Sequence, residues 1–410
     1  MLKKFIVFIV AGICFLTLPN FVEATSNEEI EVVEEPFAEE KSPKVEPPIT
    51  EQPTVNDPPI TEQPTVNEPP IFEPPPVEEV EGLEFLLYNQ NGIMAFAIIA
   101  DHEKYLLRPV LAKNQIPGRA TVSQMNAPNA IATINASYFA RNGDLLGNTK
   151  IDGLTAGTTY FIRSAIGIRE DGSTIFARQT YRGVLQFNGE EVVVDGVNCE
   201  RNGNSVVVYN SWQGVTTGTN NFGVEIIVQD GVVENIFRES GNNYIPPDGF
   251  VISAHGTAAE YFKAVYVGDT ITFDEDYINV EHGEDFNEAI HIIGVGPTLV
   301  KHGEVYVTAD AEQFPPDIRV GRAPRSAVGI TQYGDYIFAV VDGRQAHSKG
   351  CTLEEWANIL KNSFGAVEAI NLDGGGSTEL FFKGKLVNKP SDGRERYIGD
   401  ALTILPKKVE

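Results

Sequence analysis

Residues 369–380 have the residue types that a catalytic loop needs. They read Ala-Ile-Asn-Leu-Asp-Gly-Gly-Gly-Ser-Thr-Glu-Leu, which sets Asn371 and Asp373 at the end of an apolar run and before three glycines. Glycine permits positive φ angles and close approach to the backbone, and successive N–H groups in such a loop can form an anion-binding concavity. The pattern favours a site for a sugar-like polar group and a phosphate, with Asp373 as its ionisable group. A tight Asp-Gly turn without function is the alternative.

The glycines fall between two short apolar runs, within 367–370 and at 380–382. Runs of this length and composition predict strands, so the glycines belong to a strand-to-strand loop. Two hydroxyl side chains at the edge of the loop would add hydrogen-bond donors. The predicted loop residues are Gly374, Gly375, Gly376, Ser377 and Thr378.

Four further polar segments adjoin predicted strands, and strand ends are where functional residues are often placed. Each alone is weak, because Asp-Gly-Arg is commonly a turn and an asparagine often ends a strand. The segments are 135–139 after the strand at 131–134, 324–326 before a hairpin, 342–344 after the strand at 337–341, and 391–396 before the final strand.

The remaining pattern predicts an α+β fold of mixed, largely antiparallel β-sheets with a few helices. The clearest helix begins after Thr352, whose side chain can form a capping box with Glu355, and ends at Gly365. Residues 257–265 are a weaker helical candidate. Residues 163–176 and 325–338 share an Arg-Ser-Ala-x-Gly-Ile start and later glycine and Ile-Phe positions, which indicates one hairpin used twice.

Composition divides the chain into three parts. Residues 1–24 contain two lysines, an apolar run and a small-residue cleavage site, which together are typical of a signal peptide; an uncleaved membrane anchor is the alternative. Residues 25–82 are an acidic, proline-rich repeat that cannot bury a core and is expected to be a disordered linker. Residues 83–410 have the composition of one large globular domain. No membrane span is expected after signal cleavage.

The formal net charge of −26 makes a nucleic acid or an acidic lipid surface an unfavourable partner. The six histidines lack metal-ligand spacing, so no metal or cofactor is expected and a zinc hydrolase is disfavoured. Cys199 and Cys351 would remain after signal removal, and their spacing does not decide between a disulfide and two free thiols.

Taken together, the motifs resemble the phosphodiester glycosidase family over essentially the whole region after the linker. The two most specific are Asn-Leu-Asp-Gly-Gly-Gly-Ser at 371–377 and Pro-Arg-Ser-Ala-Val-Gly-Ile at 324–330. The supporting motifs are Asn-x-x-Tyr-Phe at 135–139, Gly-Val-Gly-Pro at 294–297, Asp-Gly-Arg-Gln at 342–345, Ser-Lys-Gly at 348–350 and Ser-Asp-Gly-x-Glu-Arg at 391–396.

The resemblance implies hydrolysis of the bond between a sugar's anomeric carbon and a phosphodiester oxygen. Asp373 would act near the anomeric carbon as base or nucleophile, with Asp342 as a possible second carboxylate. Arg325 and Arg344 would bind phosphate, Asn135 and Asn371 would bind the sugar, and the loop N–H groups would receive phosphate oxygens. The implied substrate-binding set is Asn135, Arg325, Arg344, Asn371, Gly374, Gly375, Gly376 and Ser377.

These inferences lead to a secreted enzyme, extracellular or associated with the cell wall. Its expected partner is a carbohydrate phosphodiester in a wall or exopolysaccharide glycan, such as wall teichoic acid. Retention or inversion at the anomeric carbon depends on the distance between the carboxylates, which the sequence leaves open. A non-catalytic glycan-binding or assembly module that uses the same cleft is the alternative.

Overall fold

Strands form most of the regular structure, as the short apolar segments predict. The computed structural model describes residues 80–159 and 161–407. The predicted signal peptide at 1–24 lies outside these residues, as does the predicted linker at 25–82 up to residue 79. The first strand begins at Leu83, the residue at which the globular composition begins.

The elements are numbered in chain order. The strands are β1 Leu83–Gln90, β2 Ile93–Ala100, β3 Tyr105–Leu111, β4 Ala132–Asn135, β5 Thr149–Ile151, β6 Leu154–Gly157, β7 Arg163–Ile168, β8 Thr174–Phe187, β9 Glu190–Val193, β10 Gly196–Val197, β11 Val206–Tyr209, β12 Val224–Gln229, β13 Val232–Arg238, β14 Gly249–Ala254, β15 Thr272–Asn279, β16 His291–Gly294, β17 Thr298–Lys301, β18 Glu304–Val305, β19 Arg325–Thr331, β20 Tyr336–Val341, β21 Ala366–Asn371, β22 Leu380–Phe382, β23 Lys385–Leu386 and β24 Asp400–Pro406. The α-helices are α1 Val122–Met125, α2 Pro316–Arg319 and α3 Leu353–Phe364. The 3₁₀ helices are Ala112–Asn114, Ser211–Gln213, Gly256–Phe262 and Gly375–Ser377.

Four sheets organise the strands. The central sheet has the order β1-β2-β20-β19-β21-β17-β18, and the flanking sheet has the order β23-β22-β4-β24-β3. A third sheet has the order β15-β8-β7-β16-β5-β6 with β9 paired to β8, and a fourth has the order β10-β11-β14-β12-β13. Among the described strands, β10 and β11 pair in parallel and the other pairs are antiparallel. This confirms the predicted fold class.

The central sheet is buried on both faces. In β20, Phe338 and Val340 point into a core shared with Ile134 and Leu402 of the flanking sheet. The intervening β20 residues, including Ala339, point into a second core that contains α3. Because side chains alternate across a strand, a strand covered on both faces is apolar throughout.

Helix α3 forms where the sequence predicts it and covers one face of the central sheet. The Thr352 side chain accepts the N–H of Glu355, and the Glu355 side chain accepts the N–H of Thr352 in return. Gly365 ends the helix in a left-handed conformation with φ 72°. Trp356 and Leu360 are fully buried against the sheet. The weaker candidate at 257–265 forms a 3₁₀ helix instead.

The two similar sequence segments form two antiparallel hairpins, as predicted. In the first, Arg163 of β7 pairs with Gln179 of β8. In the second, Arg325 of β19 pairs with Val341 of β20. The first belongs to the third sheet and the second to the central sheet, so only the second adjoins the glycine loop.

The sequence alone does not decide whether the two cysteines outside the predicted signal peptide form a disulfide. Cys199 and Cys351 are both free thiols in the structure, and Cys351 is buried.

None of the helices in the described part of the chain is long and apolar enough to cross a membrane.

Candidate active site

The predicted polar segments meet at one end of the central and flanking sheets. Because β19 runs antiparallel to β20 and β21, its first residue lies beside the last residues of those two strands. In the flanking sheet, Asn135 ends β4 opposite Ala401 of β24. The Asn135 side-chain amide donates to the carbonyl of Asp373 over 2.7 Å and so connects the two sheets. The topology therefore gathers residues that are far apart in sequence.

Asp373 is half-buried at the centre of this end. Its carboxylate accepts the N–H of Gly374 at 2.9 Å and a hydrogen bond from the side chain of Ser377. Burial raises the pKa of Asp373 to about 6, although these hydrogen bonds and the positive charge of Arg396 oppose the shift. A carboxylate with this pKa is ionised in neutral solution and can also accept a proton there.

The glycine loop uses most of its N–H groups within the protein. Gly374 donates to Asp373, Gly375 donates to the carbonyl of Pro324 at 2.9 Å, and Ser377 donates to the carbonyl of Gly374 at 3.1 Å. Of the four N–H groups predicted to receive phosphate oxygens, that of Gly376 alone has no acceptor within the described chain. The loop in this conformation is therefore a turn that fixes Asp373, with one N–H available.

Two guanidinium groups lie over the glycines. A Cβ atom on Gly375 would lie 3.4 Å from Nη1 of Arg344, and one on Gly376 would lie 1.9 Å from Nη2 of Arg396. Arg344 is exposed, and its side chain has no hydrogen bond or ion pair with any residue the structure describes. Arg396 is paired with Asp392 at 2.7 Å. The bare backbone thus brings positive charge close to Asp373.

We expect Gly376→Ala to lower activity while leaving the fold intact. The new methyl group would collide with the ends of the Arg396 and Asp392 side chains, which are partly exposed and free to move away. Displacing Arg396 removes a positive charge near Asp373, so kcat/KM should fall about tenfold. The control is Gly203→Ala, because no atom lies within 4 Å of a Cβ at Gly203. Equal kinetics for the two variants and the natural protein would contradict this role.

Asn135 and Arg325 are buried beneath the site. The Oδ1 atom of Asn135 accepts the hydroxyl of Ser326 at 2.7 Å and the N–H of Glu379 at 3.2 Å. The guanidinium of Arg325 donates to the carbonyls of Gly321 at 2.7 Å, Ile318 at 3.0 Å and Cys351 at 3.3 Å. Both side chains hold backbone segments in place. Their contacts with sugar and phosphate stay predictions.

Asn371 is buried at the end of β21. Its side-chain N–H group donates to the hydroxyl oxygen of Tyr138 at 3.0 Å, and the Tyr138 hydroxyl donates to the carbonyl of Gly296 at 3.0 Å. The Asn371 Oδ1 atom is buried without a hydrogen-bond donor in the described structure. The amide therefore retains one free acceptor, and its predicted contact with a sugar stays open.

Asp342 is 1% exposed and fully engaged with its neighbours. Its carboxylate receives hydrogen bonds from His347 Nε2 at 2.8 Å, the Asn388 side chain at 3.1 Å and the Lys389 N–H at 3.0 Å. Burial raises the pKa of Asp342, and the hydrogen bonds oppose that shift. Asn388 also accepts the N–H of Leu380, so Asp342 positions the start of β22. Its catalytic role stays a prediction.

Glu379 is a buried carboxyl directly after the glycine loop. One of its oxygens accepts the N–H of Arg396 at 2.7 Å, and the other has no partner in the described structure. Burial raises the pKa of Glu379 to about 8, and the negative charges of Glu395 and Asp392 add to the shift. Glu379 is consequently protonated in the folded protein at neutral pH.

Glu379 should make the folded state less stable as pH rises. The unfolded chain loses this proton near pH 4.5 and the folded chain near pH 8, so the free energy of unfolding falls across that interval. Glu379→Gln mimics the protonated form. The free energy of unfolding of this variant should be close to that of the natural protein at pH 5 and should exceed it by roughly a few kcal/mol at pH 8.5. Urea unfolding at both pH values measures these free energies. If the variant and the natural protein differed by the same amount at both pH values, the prediction would be wrong.

Potential metal ligands are grouped elsewhere. Candidate ligand atoms of Asp101, His102 and Asp335 lie within 4.8 Å of one another. These residues adjoin the end of β2 and the start of β20, at the opposite end of the central sheet from Asp342. The His102 ring is already hydrogen-bonded to Asp335 at 3.2 Å. This cluster does not take part in the candidate active site.

Sequence reasoning did not select Arg396, Glu379 or His347 as site residues. Arg396 belongs to the polar segment 391–396, whose position before the final strand was the available signal. His347 follows Asp342 by five residues, and because no metal-ligand spacing includes it, the sequence offers no signal for its contact with Asp342. For Glu379 the signal was its place in the glycine-rich stretch, but its burial depends on the fold.

Comparison with known proteins supports the resemblance seen in the motifs. Residues 222–405 match the family model described as "Phosphodiester glycosidase", which confirms the resemblance predicted from the motifs. The matched region contains Arg325, Asp342, Arg344 and Asp373 together with the glycine loop, whereas Asn135 precedes it.

Individual relatives are distant and partial. The chain is 40% identical over 81 residues to the SPbeta prophage-derived uncharacterized protein YomE of Bacillus subtilis (strain 168), covering 20% of this chain and 12% of that protein. It is 28% identical over 181 residues to the N-acetylglucosamine-1-phosphodiester alpha-N-acetylglucosaminidase of Mus musculus, covering 42% of this chain and 34% of that protein. This chain therefore spans about a third or less of the length of these relatives.

A solved structure supports the fold. A hypothetical protein from Synechocystis superposes with a TM-score of 0.68 at 24% identity, covering 79% of this chain and 62% of that chain. At this identity the likeness concerns architecture alone.

Proposed function

We propose that this protein is a secreted hydrolase that cleaves a sugar-1-phosphodiester in a cell-wall or exopolysaccharide glycan. The observation that carries the proposal is the half-buried Asp373 carboxylate, two residues from a glycine covered by the exposed guanidinium of Arg344. The match of 222–405 to the phosphodiester glycosidase family supports the same reaction class. The name of the mouse relative, which describes hydrolysis of an N-acetylglucosamine-1-phosphodiester, supports it further.

The chemistry follows from the charges. A phosphodiester leaving group departs as an anion and needs little protonation, so the protein must hold that negative charge and stabilise an oxocarbenium-like centre. Arg344 is exposed and free to bind the phosphate bidentately. Asp373 would face the anomeric carbon, and its pKa of about 6 keeps it ionised in neutral solution. Arg396 would add positive charge beside the loop.

The location and the substrate are part of the proposal. Residues 1–24 have the pattern of a signal peptide and 25–82 that of an acidic spacer, which favours action outside the cell on a phosphate-linked wall glycan. Because the whole chain is strongly negative, binding of a polyanionic glycan would depend on local arginines instead of a broad basic face.

The test is hydrolysis of two substrates by the secreted protein. One is a nitrophenyl phosphodiester of N-acetylglucosamine 1-phosphate and the other is purified wall teichoic acid, with release of free sugar as the measurement. Release from either substrate is the expected result. Absence of release from both, with measurable binding to the polymer, would overturn the hydrolase and favour the glycan-binding module.

A further inference from the structure

A polar cavity lies outside the candidate active site. Its volume is about 430 Å³, within the range of small-molecule binding sites. Its walls include Asn142, Asp144, Arg201, Gln213 and Asn220, whereas neither Asp373 nor Arg344 lines it. No role described above uses these residues.

Several hydrogen-bonding groups in this cavity are unused. The side-chain amide of Gln213 has no partner among residues 80–159 and 161–407, and the same holds for the Nδ2 group of Asn220. Asp144 accepts the Asn142 amide through one oxygen at 2.7 Å and keeps the other oxygen free. The cavity thus offers both donors and acceptors.

The wall that carries Arg201 is held rigidly. Arg201 donates to the Ser253 hydroxyl at 2.8 Å and to the carbonyl of Asn220 at 3.0 Å. The Ser253 hydroxyl donates in turn to Glu225, which is 1% exposed and also accepts the Asn243 amide at 2.7 Å. A wall fixed in advance by buried hydrogen bonds loses little entropy when a ligand binds.

The charges of the cavity disfavour an anionic ligand. Asp144 and Glu200 supply two negative charges against the single positive charge of Arg201. A phosphate would meet a net negative wall and is disfavoured. Amide groups donate and accept, and carboxylates accept, which together suits the adjacent hydroxyl groups of a sugar ring.

One hairpin joins the cavity to the candidate active site. The Leu146 N–H donates to the carbonyl of Tyr138 at 2.8 Å, which closes residues 138–146 into a hairpin whose tip carries Asn142 and Asp144. The Tyr138 hydroxyl accepts the amide of Asn371 at the active site. The Cα atoms of Tyr138 and Asn142 are four positions apart in the chain and therefore at most about 14 Å apart in space. This is a short distance for a polymer that extends beyond the cleaved bond.

We propose that this cavity binds neutral sugar units of the same phosphate-linked glycan on which the active site acts. The part of the proposal that links the cavity to the substrate rests on the proposed function. Cleavage and polymer binding then occur at separate sites. Asp373 and Arg344 act on the phosphodiester, and Gln213 and its neighbours bind uncharged sugars. The substrate is consequently a polymer or oligomer with several sugars.

The test compares Gln213→Trp, whose indole fills the cavity, with Gln332→Trp, which places the same side chain on the exposed turn between β19 and β20. Binding is measured by calorimetry in an Asp373→Asn background with wall teichoic acid that carries N-acetylglucosamine, with teichoic acid that carries glucose, and with the sugar-free polymer. Hydrolysis of the nitrophenyl phosphodiester is measured without the Asp373 change. Melting temperatures of both variants identify any loss of folding, and Gln213→Ala, which removes a side chain without protein partners, serves as the milder variant.

Gln213→Trp should weaken binding of at least one sugar-bearing polymer tenfold or more and leave kcat/KM for the small substrate unchanged, whereas Gln332→Trp changes neither. Gln213→Ala should weaken the same binding by a smaller factor. Unchanged polymer affinity, an equal loss for the sugar-free polymer, no binding of any polymer, or an equal loss on the small substrate would each overturn the cavity proposal. If the natural protein releases no sugar but its polymer binding responds to Gln213→Trp, the proposed hydrolase fails and the sugar-binding cavity stands.

Discussion

Asp373→Asn should lower kcat/KM on the nitrophenyl phosphodiester by about 10³-fold or more, in the range expected when a catalytic carboxylate is removed. Asparagine preserves the shape of the side chain and can still bond with Ser377, but it cannot carry the negative charge that an oxocarbenium-like centre requires. The natural protein should lose activity as pH falls through about 6, since Asp373 is protonated below its raised pKa. The measurement is a pH–rate profile of the natural protein together with the kinetics of the variant.

The matched control for this experiment is Asp276→Asn. Asp276 is a half-exposed carboxylate in β15 of the third sheet, and the change removes one negative charge without affecting the glycine loop. The control should retain full activity and the melting temperature of the natural protein. Wild-type turnover by the folded Asp373→Asn protein would remove Asp373 from the mechanism.

Arg344→Ala should lower kcat/KM by about 10²-fold, which is the usual effect of removing one donor that stabilises developing negative charge. The exposed Arg344 side chain has no hydrogen bond or ion pair within the described part of the chain, so stability should change little. Arg344→Lys should recover part of the activity, because lysine restores the charge without the bidentate geometry.

The control for Arg344 is Arg182→Ala, which removes a half-exposed arginine from β8 in the third sheet. It should leave kcat/KM unchanged. A small effect of Arg344→Ala, equal to that of Arg182→Ala, would instead place the phosphate contact on Arg396 or Arg325.

Much of the fold follows from local sequence patterns. The strand at Tyr336–Val341 and helix α3 with its Thr352 capping box lie where the sequence predicts them. These elements are encoded by short apolar runs, caps and terminal glycines, which act over a few residues. The repeated hairpin could be predicted for the same reason. Strand order could not, because the pairing of β4 with β24 joins residues more than 250 positions apart.

The candidate site also has features that the local sequence predicts and features that it does not. Sequence spacing singles out Asp373 and the glycine loop, since both belong to one short segment. It does not reveal that Arg396 lies over Gly376, or that Nε and Nη2 of Arg325 donate to main-chain carbonyls. Such facts depend on which distant segments pack together. The glycine loop is an example. Its sequence resembles a phosphate-binding loop with several free N–H groups, but within the described structure only the N–H of Gly376 has no acceptor.

The position of β24 has a consequence for how the protein folds. Strand β24 lies between β3 and β4, and the carboxylate of Asp400 at its start accepts the N–H and hydroxyl of Ser137. The flanking sheet therefore stays divided until the last described strand has been made and inserted. Folds dominated by such distant pairings assemble slowly, because a long loop must close before the contacts that stabilise it form. Because Asn135 ends β4 and donates to the carbonyl of Asp373, a partly synthesised chain without β24 lacks one of the two strands that hold Asn135 in place.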